Sequence, residues 1–121
     1  MTHDLLPDEI VLRHIPGGTT WQAPGPRITS KNFELRPGEA GVSVSRAGIT
    51  APDRLMARLG DPAKGSRIAS ASITGIRALG LDVVPDPIPD DPGHALIVSA
   101  GASLADQPVR KQLAALFAFL P

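Results

Sequence analysis

The sequence has no cysteine and no tyrosine, and aromatic residues make up only 3% of its 121 positions. Without cysteine, the chain has neither disulfide bonds nor a thiolate zinc site. Proteins that bind single-stranded nucleic acid stack its bases on aromatic side chains, and Phe33 is the only aromatic residue in the basic middle of the chain, residues 26–77. No predicted helix concentrates lysine and arginine on one face for groove reading. We therefore expect no DNA partner.

Long apolar runs are missing as well. The longest, residues 113–120, is 8 residues, whereas a membrane-spanning helix needs about 20. The first ten residues lack the basic start and the apolar run of a signal peptide. These features, together with the absence of cysteine, predict no membrane association and a cytoplasmic location.

The net charge is zero, with 12 basic and 12 acidic residues, but the charges are unevenly distributed. Residues 26–77 contain nine basic and four acidic side chains, whereas residues 78–95 contain four aspartates and no basic residue. The two segments can neutralise each other in the folded chain. Alternatively, the basic segment is available to an anionic ligand.

Thirteen prolines and twelve glycines divide the apolar residues into short blocks, which predicts short elements joined by stiff loops. Alternating or apolar runs predict strands at residues 9–15, 27–30, 41–45, 66–71, 81–84 and 95–99. Helices are predicted after Thr50, from about Ser72, and from the cap Asp106 through Leu120. The chain is therefore expected to be a single α+β domain over residues 1–121. We expect a small mixed or antiparallel sheet, two or three helices and a C-terminal amphipathic helix.

His14 and His94 are the candidate catalytic residues, because each adjoins the end of a predicted strand. One neutral and one protonated imidazole can act as general base and general acid near neutral pH. The alternative is that either histidine is simply hydrogen-bonded at a strand end. The sequence has no His-x-His, HExxH or glycine-rich phosphate motif, so we expect no metal and no cofactor.

Polar side chains cluster at the ends of three predicted strands. If these strands lie side by side, their guanidinium, ammonium and hydroxyl groups can form a pocket for a phosphate or a nucleotide. A solvated sheet edge would present the same residue types. The ligand-binding candidates are Arg13, Ser30, Lys31, Ser43 and Arg46.

The order of Arg13 on a first strand and Thr29-Ser30 on a second resembles the ADP-ribosyltransferase core. This resemblance implies that Arg13 grips a dinucleotide and that the serine strand shapes the pocket. The family has a late catalytic glutamate, whereas the last glutamate of this chain is Glu39. One aspartate would have to take that role, and the candidates are Asp82, Asp86 and Asp106.

Two functions follow from the sequence. In the first, the domain binds a phosphate-bearing ligand, a nucleotide or an RNA-derived molecule, and His14 or His94 can add acid–base or transferase activity; whether the protein is an enzyme stays open. In the second, it is a non-catalytic interaction module. That module would dock a protein partner, or a second copy of the chain, through residues 109–120 and the acidic proline-rich loop at residues 85–93.

Overall fold

The computed structural model describes Leu5 and residues 8–16, 19–20, 23–24, 28–59 and 65–121. In this part of the chain there are eight strands, three α-helices and one 3-10 helix at Ser30–Phe33. The strands are β1 (Ile10–Ile15), β2 (Thr19–Thr20), β3 (Ala23–Pro24), β4 (Val42–Arg46), β5 (Arg67–Ser72), β6 (Leu81–Pro85), β7 (His94–Ser99) and β8 (Ala118–Phe119). The helices are α1 (Pro52–Leu59), α2 (Ile73–Ala78) and α3 (Gln107–Leu116).

Six of the strands form one antiparallel sheet in the order β6-β7-β4-β1-β5-β8, and β2 pairs with β3 in a separate two-stranded sheet. The α+β class, the antiparallel sheet and the C-terminal helix are confirmed. Strands β5 and β6 flank α2 in sequence but lie in different halves of the sheet. The short β5-α2-β6 segment is therefore not a parallel crossover unit, in line with its length.

Alternation along the strands divides the core into two layers. Val11 and Ile15 of β1 point to the face that carries the main hydrophobic cluster, where α2, α3 and the 3-10 helix pack. Leu12 points to the opposite face, where it packs with Leu55 of α1 and Ile68 of β5 in a smaller cluster. Successive residues of a strand face opposite sides, so β1 contributes to both layers.

The sheet is weakly paired at its centre. Strand β1 pairs with β5 along all six of its residues, but with β4 at only two positions, Val11 with Arg46 and Leu12 with Ser45. Beyond Leu12 the ladder between β1 and β4 stops. We call the resulting opening, between residues 13–15 of β1 and residues 42–44 of β4, the seam. All three α-helices lie in connections that cross from one side of the seam to the other.

The strand predicted at residues 27–30 is wrong where the structure describes it. Arg27 lies outside the described residues, Ile28 and Thr29 belong to no element, and Ser30 begins the 3-10 helix. The side-chain oxygen of Asn32 accepts a hydrogen bond from the backbone N–H of Thr29 at 2.7 Å. Local side-chain bonds of this kind favour a capped turn over a sheet ladder, and the buried Phe33 anchors that turn.

The terminal helix ends earlier than predicted. Helix α3 stops at Leu116, and Ala118–Phe119 form β8 on the edge of β5. The backbone N–H of Leu120 also donates to the carbonyl of Ile68 at 2.9 Å. This pairing satisfies backbone groups on an otherwise open edge, which a last helical turn would leave unpaired. Within the described residues, no helix is long and apolar enough to cross a membrane.

The apolar side of residues 109–120 packs within the chain. Leu113, Ala114 and Phe117 are buried in the main cluster, while Val109, Leu116 and Phe119 pack against it. A contact with a partner protein or a second copy through residues 109–120 stays a prediction.

Gly41, which precedes β4, approaches the backbone of β7 closely. A Cβ atom at this position would lie 2.5 Å from the carbonyl oxygen of Ile97. We expect Gly41→Ala to lower the free energy of unfolding by about 1–3 kcal/mol, because the two strands must move apart. Urea titration measures the loss. In Gly48→Ala, the matched control, the added Cβ meets nothing within 4 Å; equal losses in the two variants would contradict the explanation.

Candidate functional site

The seam opens into a cavity of about 610 Å³, a volume in the range of small-molecule sites. Its walls come from the end of β1, the segment at residues 31–39, strand β4 and helix α1. Because β1 and β4 diverge here, side chains from both faces of the sheet reach the same cavity. The described polar residues of the lining are Arg13, His14, Lys31, Asn32, Glu34, Arg36, Glu39, Ser43, Ser45, Arg58 and His94.

Arg13 spans the seam. Its Nε and Nη2 atoms donate to the carbonyl oxygen of Asn32 at 3.0 and 2.5 Å, and its Nη1 atom donates to the carbonyl oxygen of Ser43 at 2.5 Å. The guanidinium also lies over the ring of Phe33, 5.5 Å from the ring centroid. A guanidinium has five N–H donors, so these three bonds leave one N–H on each terminal nitrogen for a further acceptor.

The guanidinium of Arg13 donates hydrogen bonds to neutral carbonyl groups. Among the described residues, no carboxylate lies within salt-bridge distance of it. Burial lowers the pKa of Arg13 from its ordinary value to about 10, and the charge of Glu39 opposes that shift. The side chain therefore stays cationic at neutral pH. A cation that is partly removed from water, with Glu39 acting on it only from beyond salt-bridge distance, favours an anion in direct contact with it.

Three further cations line the cavity. Lys31 and Arg36 are exposed and form no ion pair within the described part of the chain. Arg58 of α1 lies 3.5 Å from a carboxylate oxygen of Asp91. Among the described lining residues, four side chains are cationic and two are carboxylates, Glu34 and Glu39, while Asp91 outside the lining pairs with Arg58. The described lining therefore carries an excess of positive charge, even though the whole chain has no net charge.

His14 carries an unused hydrogen-bonding atom. Its Nε2 is buried and has no hydrogen-bond partner among the described residues. Burial, and after it the charge of Arg13, lower the pKa of His14 below its ordinary 6.5, so the imidazole is neutral at pH 7 and above. A neutral imidazole nitrogen is either a donor or an acceptor, depending on the tautomer.

His94 is held from behind by the acidic loop. Its Nδ1 lies 2.9 Å from the carbonyl oxygen of Asp86 and 3.2 Å from a carboxylate oxygen of the same residue. The ring is largely buried and lines the cavity beside Ser45, its register partner on β4. Such a partner on Nδ1 fixes the orientation of an imidazole.

A buried carboxylate supports the cavity wall from outside the lining. Asp91 is 1% exposed and accepts hydrogen bonds from the hydroxyls of Ser45 (2.5 Å) and Thr50 and from the backbone N–H of Gly93 (3.0 Å). Burial by itself would raise the pKa of Asp91, but these bonds and the charge of Arg58 outweigh it, so the pKa is lowered. Asp91 thus stays ionised and holds two lining residues, Ser45 and Arg58.

The structure gathers five of the seven predicted site residues at the cavity: Arg13, His14, Lys31, Ser43 and His94. Ser30 begins the 3-10 helix next to Lys31 and lies outside the lining. Arg46 also lies outside it, because its guanidinium pairs with Glu9 at 2.9 Å at the paired end of the β1–β4 ladder. The two histidines, 80 positions apart, thus line one cavity.

Arg36, Arg58 and Asp91 are absent from the sequence-based site. Arg58 had a detectable signal, since it lies three residues after the buried Leu55 and such residues share a helix face. Arg36 lies in a proline-glycine turn, and Asp91 lies in the acidic loop. No periodic pattern places either of them beside the cavity.

The aspartates considered for a transferase glutamate lie outside the cavity lining. Asp82 pairs with Arg77 at 3.0 Å, Asp86 pairs with His94, and Asp106 precedes α3 as its N-cap residue. Within the described part of the lining, the carboxylates are instead Glu34 and Glu39. The resemblance to the ADP-ribosyltransferase core stays a prediction.

Comparisons with protein-family models, with curated proteins and with solved structures give no match. Within the described residues, no group of three histidine or acidic side chains is placed to hold a metal ion. The assignment of function therefore rests on the cavity itself.

Proposed function

We propose that the protein binds a small phosphate-bearing ligand in the cavity at the seam. The observation that carries the proposal is Arg13, a half-buried guanidinium that is hydrogen-bonded to carbonyl groups and has no carboxylate within salt-bridge distance among the described residues. Its two remaining terminal N–H groups suit the oxygens of a phosphate, which guanidinium groups bind in a bidentate manner.

Lys31 and Arg36 support the same ligand. Both line the cavity and neither has an ion-pair partner in the described residues, so a phosphate gains their charge without breaking an existing bridge. A charge-assisted hydrogen bond contributes about 1.5–3 kcal/mol. The cavity volume leaves room for the organic part of a nucleotide beside its phosphate.

Acid–base chemistry is the second part of the proposal. His14 is neutral at pH 7 and has a free ring nitrogen, which fits a general base, and His94 is oriented by Asp86 in the same cavity. A ligand that places an ionisable group or a cleavable bond between the imidazoles of His14 and His94 would be within reach of both. Binding is the prior requirement, so binding is tested first.

Thermal unfolding with inorganic phosphate, AMP, ADP and ADP-ribose tests the proposal. A ligand that binds the folded state at 100 times its Kd adds about 2.7 kcal/mol to the free energy of unfolding. We expect at least one of these compounds to raise the Tm of the wild type. We expect Lys31→Ala and Arg36→Ala each to weaken its binding about tenfold or more, because each removes a charge-assisted contact.

The matched control is Lys111→Ala, which removes an exposed lysine of α3 outside the cavity lining. Arg13→Lys keeps the positive charge but removes the planar guanidinium that donates two parallel hydrogen bonds. It should weaken binding more than either Lys31→Ala or Arg36→Ala. No rise in Tm with any of the four compounds would refute the proposal. If Lys111→Ala weakens ligand binding as much as the cavity variants do, the ligand is attracted by the overall positive charge and does not bind at a defined site.

A further inference from the structure

The unpartnered Nε2 of His14 indicates that the organic part of the ligand carries a hydrogen-bonding group. A buried polar atom without a partner is uncommon in folded proteins, and it is expected to gain one when the cavity is occupied. Among the described residues, none supplies that partner. The ligand is therefore expected to carry a group that bonds to an imidazole nitrogen.

That group is separate from the phosphate held by Arg13. Arg13 and His14 are consecutive residues of β1, so their side chains leave opposite faces of the sheet. Arg13 points to the side of Phe33, and His14 points to the side of Ser43 and α1. Only the opening of the seam gives one ligand access to both.

A hydroxyl group fits the position near His14. The imidazole is neutral, and its Nε2 donates or accepts according to its tautomer, whereas a hydroxyl does either. The exposed Ser43 shares this side of the sheet and offers a second hydroxyl. Leu12, Leu55 and Leu59 line the same side, which provides apolar surface for a carbon skeleton.

We propose, on the basis of the phosphate binding argued above, that the ligand is a phosphate monoester whose organic part carries a hydroxyl. Its phosphate lies at Arg13 and its hydroxyl bonds to Nε2 of His14. Sugar phosphates and nucleoside monophosphates share this chemistry. Inorganic phosphate and a simple alkyl phosphate lack the second group.

Titration calorimetry at pH 7.5 with inorganic phosphate, methyl phosphate, pyrophosphate, ribose 5-phosphate and AMP tests this inference. We expect ribose 5-phosphate to bind about tenfold more tightly than methyl phosphate, since one further hydrogen bond is made to a buried atom. AMP compared with ribose 5-phosphate shows whether the base adds affinity. His14→Phe should remove the tenfold advantage of ribose 5-phosphate over methyl phosphate.

A second measurement does not depend on the folding of the variant. The ¹⁵N resonance of His14 Nε2 in the wild type should shift on addition of ribose 5-phosphate and stay in place on addition of methyl phosphate. If methyl phosphate binds in an Arg36-dependent manner and ribose 5-phosphate binds no more tightly, the inference is overturned while the proposed function stands. If pyrophosphate binds more tightly than ribose 5-phosphate, the inference is likewise overturned and the proposed function stands. If none of the five compounds binds, both fail.

Discussion

Replacing Asp91 by alanine is expected to lower the free energy of unfolding by about 3–5 kcal/mol, the loss typical of removing one partner from a buried charged network. Asp91 is 1% exposed and is bonded to Ser45, Thr50 and Gly93, with Arg58 at 3.5 Å. Its removal leaves two hydroxyls and one backbone N–H without their acceptor. Unsatisfied buried groups of this kind are costly.

Urea denaturation of the wild type, Asp91→Ala and Asp90→Ala measures this effect. Asp90 is the matched control, because it is the neighbouring aspartate and is exposed; its removal should change stability by less than about 0.5 kcal/mol. If Asp91→Ala lowers the free energy of unfolding by less than about 1 kcal/mol, the hydrogen bonds of Asp91 stabilise the fold little more than bonds to water would.

The same carboxylate gives stability a dependence on pH. The pKa of Asp91 is lower in the folded chain than its ordinary value of 3.8, so the unfolded chain takes up the proton first as pH falls. The stabilisation is complete above the unfolded pKa and is lost as pH falls through the folded pKa. The Asp91→Asn variant should lack this acid-dependent part of the unfolding curve.

Phe33→Ala is expected to cost about 3–5 kcal/mol, the usual range for deleting a buried phenylalanine. The Phe33 side chain is fully buried, and its ring centroid lies 5.1 Å from that of Phe117. The ring joins the 3-10 helix to the region just after α3 and also supports the guanidinium of Arg13. The variant should therefore lose ligand affinity as well as stability.

Phe119→Ala is the matched control for this change. Phe119 is half-buried on β8, where its ring lies under the guanidinium of Arg67 at 4.3 Å. It packs against the rim of the main cluster and has an aromatic–cation contact, but it is only half-buried and lies outside the described cavity lining. We therefore expect a loss of about 1–2 kcal/mol and unchanged ligand binding. Chemical denaturation compares the two stabilities. Equal losses would show that the Phe33 ring is not a special support of the fold.

Much of the fold follows from local patterns. The alternation of Val42 and Val44 with Ser43 and Ser45 gave β4 with the correct faces, and Ser72 caps α2 through the backbone N–H of Gly75 as its position indicates. Thr50 shows the limit of such patterns. Its residue type and position favour an N-cap, but its hydroxyl donates to Asp91, a partner 41 positions away that no local rule identifies.

The site was predictable in residue type more than in arrangement. The sequence selected cationic and hydroxyl side chains at strand ends, and three of them, Arg13, Lys31 and Ser43, line the cavity. The predicted Arg46 lies elsewhere because it is paired with Glu9, a contact set by the register between β1 and β4. The register and the early end of the ladder depend on packing across the whole sheet, and one sequence does not encode them as a readable motif.

The seam also bears on cooperativity. It divides the sheet into two three-stranded groups, β6-β7-β4 and β1-β5-β8, and the segments of these groups alternate along the chain. The shortest stretch that contains β4, β6 and β7 also contains β5, so neither group exists as a continuous fragment. Each group therefore forms only after a strand of the other group has intervened in the sequence. Most native contacts are long-range, and such contacts slow folding. No proteolytic fragment should therefore retain half of this sheet as an autonomous unit.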